Sequence, residues 1–140
     1  MNLFEAKRNY LLVQEDSIDF YLKDFSKETI EKTFYIYAKK QLEIMIEDRR
    51  VEWDNWICLM NGIKEPTITV KYTTSQWGSC IMDKSKISVS TRLIHYPSQC
   101  LDYILLHEYT HLLVPNHSKE FYAFVRSYMP DYKEISRLLK

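Results

Sequence analysis

Three of the four histidines fall in one short stretch, His107-Glu108-Tyr109-Thr110-His111 with His117 behind it. Histidines four apart on a helix are carried round by about 400°, so both imidazoles leave one face about 6 Å apart along the axis. Two such nitrogens suit two corners of a tetrahedral zinc site. Glu108 lies about 100° round from His107, beside the metal and outside the ligand row, where its carboxylate can take a proton from a zinc-bound water. A third ligand on the same straight helix is excluded, because ten residues would carry it about 15 Å along the axis. The chain supplies a break where one is required. Pro115 cannot continue the hydrogen bonding, it restricts Val114, and Asn116 accepts turn geometry, so the chain can fold back and offer His117.

The competing reading is a set of ordinary core histidines. Glu108 argues against it. It is the only formally charged side chain between Asp102 and Lys119, and it shares its helix with Leu101, Ile104, Leu105, Leu112 and Leu113. A carboxylate there is costly unless it faces a cation or a wet cleft. Other candidates fit less well. Glu134, an alternative third ligand, already suits the first turn of a later helix, where negative charge complements the dipole. Cys100 shares the face of His107 but sits about 10 Å down the axis, which makes it a core residue. His95 reads as a loop or strand-end residue. Tyr96, Tyr122 and Ser79 are the candidate oxyanion partners, and the sequence does not choose among them.

The elements that must position these groups follow from periodicity. Ile18, Phe20 and Leu22 alternate with polar neighbours as in a strand, with Tyr10–Val13 as its partner across Gln14–Ser17. Ser26 caps a helix whose apolar residues run to about Asp48. A second short helix carries Val51, Trp53, Trp56, Ile57 and Met60 and stops at Gly62. TITVKY after Pro66 and KISVSTR over 86–92 read as strands joined by a hairpin-type connection. A helix over 98–114 carries the histidine pair. Another runs from His117 or Ser118 to Tyr128, and Pro130 opens a last one through Leu139. Helices, a small antiparallel sheet and further helices make an α+β fold.

The chain has 140 residues, the size of a single domain, and residues 1–140 are read as one, with 1–25 as an N-terminal segment of undetermined role. Lys plus Arg and Asp plus Glu number 19 each, which argues against general nucleic-acid or anionic-membrane binding. Only Gly62 and Gly78 are glycines, so glycine-rich phosphate cradles are excluded. Cys58, Cys80 and Cys100 are an odd, widely spaced set, which suits a reducing compartment better than a disulfide framework. The opening MNLFEAKRNY is not a signal peptide and no apolar run reaches a membrane span, so a soluble, cytoplasmic protein is expected.

TSQWGSC (74–80), KISVSTRLIHYP (86–97), LDYILLHEYTHLLVPNHSKEFY (101–122) and MPDYKEISRLLK (129–140) occur in this order. Together they resemble the YgjP-like metallopeptidase domain, a family similar in turn to the SprT-like and WLM zinc peptidases. The resemblance implies a zincin-type fold, His107, His111 and His117 as zinc ligands, and Glu108 as catalytic base. Gln76 departs from the arginine usual before WGSC, and Tyr109 and Thr110 depart from a usual Leu and Cys or Ala. Trp77-Gly78-Ser79-Cys80 is read as a packed turn, with Gly78 permitting the bend.

The expected function is therefore peptide-bond hydrolysis by a zinc-activated water with Glu108 as general base. Two alternatives belong to other classes. A binding module could keep zinc without hydrolysis, but it would have no use for Glu108. A DNA-associated, SprT-like protease would need basic surface that a neutral chain does not advertise.

Overall fold

The protein is described from a computed structural model over residues 1–139. Its first strands are β1 (Asn2–Glu5), β2 (Tyr10–Val13) and β3 (Ile18–Leu22). β2 and β3 are antiparallel, with Val13 opposite Ile18, and Gln14 N donates to Ser17 O across the turn at 2.7 Å. β1, which the alternation did not reveal, pairs parallel with β3.

Helix α1 spans Lys27–Trp53, with Ser26 Oγ accepting from Thr29 N as its cap. The end expected near Asp48 is absent. α1 runs on into a wider π turn at Asp54–Leu59, so the two expected helices are one stretch. No proline or glycine interrupts 27–61, and the turn stops at Gly62, whose φ of 66° is the left-handed conformation that glycine adopts freely.

Two compact units divide the chain, one over Met1–Gln41 and one from Leu42 onward. The second contains β4 (Thr67–Lys71), β5 (Gly78–Ile81) and β6 (Lys86–Ser90), in the order β4-β6-β5. The expected hairpin between 67–72 and 86–92 does not form. β4 is parallel to β6, and the hairpin is made by β5, antiparallel to β6, with Ser85 at φ 51° closing the turn. The long connection after β4 lets the chain cross to the other edge of β6, which a parallel pairing requires. The sheet is thus mixed instead of antiparallel.

Helices α2 (Ser98–His111), α3 (Lys119–Tyr128) and α4 (Tyr132–Arg137) complete the unit. α2 stops at His111, not Val114, and tightens through bonds from Leu112 N to Tyr109 O and from Leu113 N to Thr110 O. Pro130 precedes α4 without entering it, and Asp131 takes the capping position. Ten of the fourteen α2 residues are buried. That accounts for a helix apolar on several faces: it lies across β5 and β6 and against α3 and α4. No described helix is long and apolar enough to cross a membrane.

Candidate active site

α2 presents His107 and His111 from its last turn, and Ser118, the residue after His117, caps α3 by accepting from Phe121 N. The reversal at Val114–Asn116 brings the third imidazole back as the spacing predicts. His117 Nε2 lies 3.1 Å from the Nε2 atoms of both His107 and His111, and the three donor atoms fall within 4.8 Å of one another. Phe121 is buried beneath them, its ring centroid 4.9, 4.6 and 5.1 Å from those of His107, His111 and His117.

The donor chemistry suits a cation. His111 Nδ1 faces the Val114 carbonyl at 3.1 Å. A carbonyl only accepts, so this nitrogen carries the proton and Nε2 presents a bare lone pair. One proton on His117 Nε2 can satisfy only one of its two close neighbours, which leaves lone pairs facing one another unless a positive charge sits among them. Donors around a tetrahedral ion with bonds of about 2.1 Å stand roughly 3.4 Å apart, close to the spacing seen. Burial, with the neighbouring His111 and His117, pushes the His107 imidazole down to about 4, and burial also lowers that of His111. Both are neutral at physiological pH, the form that ligates metal.

Glu108 is 6% exposed, and burial pushes its carboxyl up to about 7. It shares a cavity of about 360 Å³ with His107, Tyr103, Trp77 and Gly78. The role expected for Gly78 changes here. It opens β5, and a Cβ at this position would stand 2.8 Å from Ile104 Cγ2 and 3.1 Å from both Glu108 Oε2 and Ser88 O. Gly78 is therefore needed for room beside the carboxylate, and bending is not its contribution. Trp77 is held by Nε1 donating to Leu139 O at 3.2 Å and by the Arg92 guanidinium 4.1 Å over its ring.

The other candidates are accounted for. Cys100 is fully buried, and all three cysteines are free thiols. Glu134 sits exposed in the first turn of α4, and among the described residues only the three histidines form a possible metal cluster. Ser79 Oγ pairs with Ser88 Oγ and Tyr96 packs edge-on against Trp77, while Tyr122 stacks 6.1 Å from the His117 ring. Tyr103, Phe121 and the steric role of Gly78 were missed. Tyr103 stands four residues before His107 on one face of α2, a spacing that could have identified it, whereas Phe121 meets His117 only because the chain reverses ahead of α3.

Such a histidine triad beside a buried glutamate, carried on a helix over a small mixed sheet, is the arrangement of a zincin-like metallopeptidase. The chain belongs to the YgjP-like metallopeptidase domain family, whose model matches residues 5–140. The match extends well before residue 74, where the first of the recognisable sequence segments begins. Solved structures of similar fold include the metallopeptidase zymogen jannalysin of Methanocaldococcus jannaschii, at 18% identity and TM-score 0.52, covering 68% of this chain and 89% of that one. The zymogen abylysin of Pyrococcus abyssi matches at 19% identity and TM-score 0.54, over 64% and 87%. Wss1 from Saccharomyces cerevisiae matches at 21% and 0.50, over 66% and 77%. No curated protein matches the chain. The protein is a metallopeptidase, and its substrates are peptides or proteins.

Proposed function

We propose that residues 1–140 work as one zinc peptidase domain in which His107, His111 and His117 hold the metal and Glu108 is the general base. The observation that carries this reading is the convergence of three imidazole nitrogens, 3.1 Å apart in two pairs, next to the buried carboxylate of Glu108, which shares a cavity with His107. When bound, zinc supplies Lewis acidity toward the scissile carbonyl and makes water a nucleophile at neutral pH. Glu108 takes the proton that the attacking water loses as the new C–O bond forms. It returns that proton to the amine nitrogen as the C–N bond breaks, so the carboxylate is regenerated. Burial raises the Glu108 carboxyl above the usual carboxylate range, which favours its holding the proton between the two transfers. Phe121 holds the imidazole rings and the Val114 carbonyl orients His111.

Peptide or protein substrates, a cytoplasmic location and no reliance on nucleic acid complete the reading, consistent with equal numbers of acidic and basic residues. A non-hydrolytic zinc module would gain nothing from burying Glu108. Glu108→Gln tests the assignment: it should keep the metal and the fold while lowering peptide hydrolysis by about a thousandfold or more. Metal analysis should find one zinc per chain in both proteins. Undiminished hydrolysis in the variant would remove Glu108 from the mechanism.

A further inference from the structure

A second cavity, of about 780 Å³, opens beside His117 and contains three cations, Lys119, Arg126 and Lys133. Its charge has one sign. Among the described residues no carboxylate lines it and none of the three cations is ion-paired. Glu120 and Glu134, the sequence neighbours of Lys119 and Lys133, are not part of its wall. A chain balanced at 19 acidic and 19 basic residues thus concentrates unpaired positive charge next to its histidine cluster.

Tyrosines connect this cavity to the reacting centre. Tyr103, Tyr132 and Tyr122 stack in series, with centroids 6.4 and 5.8 Å apart, and Tyr122 continues the stack to His117 at 6.1 Å. Tyr103 and Ser136 line both this cavity and the one containing Glu108, so the two share a wall. An extended peptide places side chains of one face about 7 Å apart. A substrate whose scissile bond lies beside Glu108 can therefore set a nearby group into the second cavity.

We propose that this cavity is a subsite for a carboxylate of the peptide substrate, held by Lys119, Arg126 and Lys133, which makes the enzyme selective for acid near the cut bond. The inference rests on the peptidase reading above. Three cations gathered around one pocket match a single carboxylate. A nucleic-acid strand presents a row of phosphates and needs a longer basic track.

The test uses zinc-loaded protein and sets of fluorogenic peptides that differ only by Glu, Gln or Lys at one position near the cut. Each set is made with a free and an amidated C-terminus. Glutamate at one position should raise kcat/KM about five- to tenfold over glutamine, less so at high salt. If the terminal carboxylate is the group held, the gain follows the free C-terminus instead. Arg126→Glu with Lys133→Glu should invert the order, so that the lysine peptide is cut faster than the glutamate peptide. Lys119→Glu provides a second reversal should the double variant fail to fold.

No carboxylate preference, or one that survives both reversals, overturns the proposal. A binding arm needs no turnover: dye-labelled glutamate and glutamine peptides are titrated into Glu108→Gln by fluorescence anisotropy. Glutamate-selective binding that the reversals abolish, with no cleavage of any peptide by the zinc-loaded parent protein, keeps the subsite and defeats the peptidase reading. No selective binding defeats the subsite. Oligothymidylate bound through these same residues, with no binding of the glutamate peptide, assigns the cavity to phosphate and also overturns it.

Discussion

Glu108 owes its position to an atom that is missing. Across the cleft Gly78 has no Cβ, and adding one would crowd Ile104 Cγ2, Glu108 Oε2 and the Ser88 carbonyl together. Ile104 can turn its methyl away, but the Ser88 carbonyl belongs to strand β6 and has little freedom. Gly78→Ala should therefore cost about 1–3 kcal/mol of stability and lower kcat/KM by about tenfold or more through displacement of the base. Denaturant unfolding and peptide kinetics on the same preparation check both, and a variant with parental activity would remove Gly78 from the site. At His117 the expectation concerns affinity. His117→Ala should weaken zinc binding by about a hundredfold or more, while Glu134→Ala leaves it unchanged. Competition against a chelating dye measures both, and the reverse ranking would transfer the third ligand to Glu134.

Helix α2 is held from behind as well as from the site. Tyr109, inside the HExxH stretch, donates its hydroxyl to Asp54 Oδ1 at 2.5 Å. Asp54 Oδ2 accepts from Arg50 Nε at 2.9 Å, and Arg50 also reaches the Pro66 carbonyl at 2.6 Å. One buried carboxylate thereby ties α2, the π turn after α1 and the approach to β4. A second tie, Arg49 to Asp102, joins α1 and α2 at 2.5 Å. Tyr109→Phe removes one donor and leaves Asp54 with its arginine, so it should cost about 1–2 kcal/mol. Asp54→Ala strands both the buried Tyr109 hydroxyl and part of the Arg50 charge, and should cost about 3 kcal/mol or more. Urea unfolding of the two variants tests the ordering, and equal, negligible losses would show that the network does not brace the helix.

At the scale of the whole molecule the histidine cluster closes a loop between two helices. His107 and His111 end α2, His117 precedes α3, and the turn between them is short and ends beyond Pro115. A ligand that binds only the folded arrangement stabilises it by mass action, about 4 kcal/mol at a thousandfold excess over Kd. Chelation should lower the melting temperature, and added zinc should restore it. Glu108→Gln should show the same shift, because the base is not a ligand. His111→Ala should lose most of it. A melting temperature indifferent to chelation in the parent protein would mean that the cluster does not hold a metal in the folded state.

The histidine site was legible because its information is local. Helical geometry places His107 and His111 on one face, and Pro115 with Asn116 forces the reversal that returns His117. The capping residues Ser26 and Ser118 and the stop at Gly62 are local for the same reason, since each depends on backbone conformation within one turn. The sequence also determined that Glu108 needed a purpose, because a lone carboxylate among leucines is costly. Tertiary structure decided what depends on partners distant in sequence. Alternation marked 67–72 and 86–92 as strands, but period two does not record which strand lies beside which, so the parallel β4–β6 pairing and the insertion of β5 at the other edge were invisible. The continuation of α1 past Asp48 was hidden because the charged run Glu47-Asp48-Arg49-Arg50 interrupts the apolar pattern, while the helix runs on through it. The Tyr109–Asp54 bond spans 55 residues and the Trp77–Leu139 bond spans 62, and no local pattern reports such a distance. The space at Gly78 exists only because α2 lies across β5 and β6, an arrangement that packing alone sets.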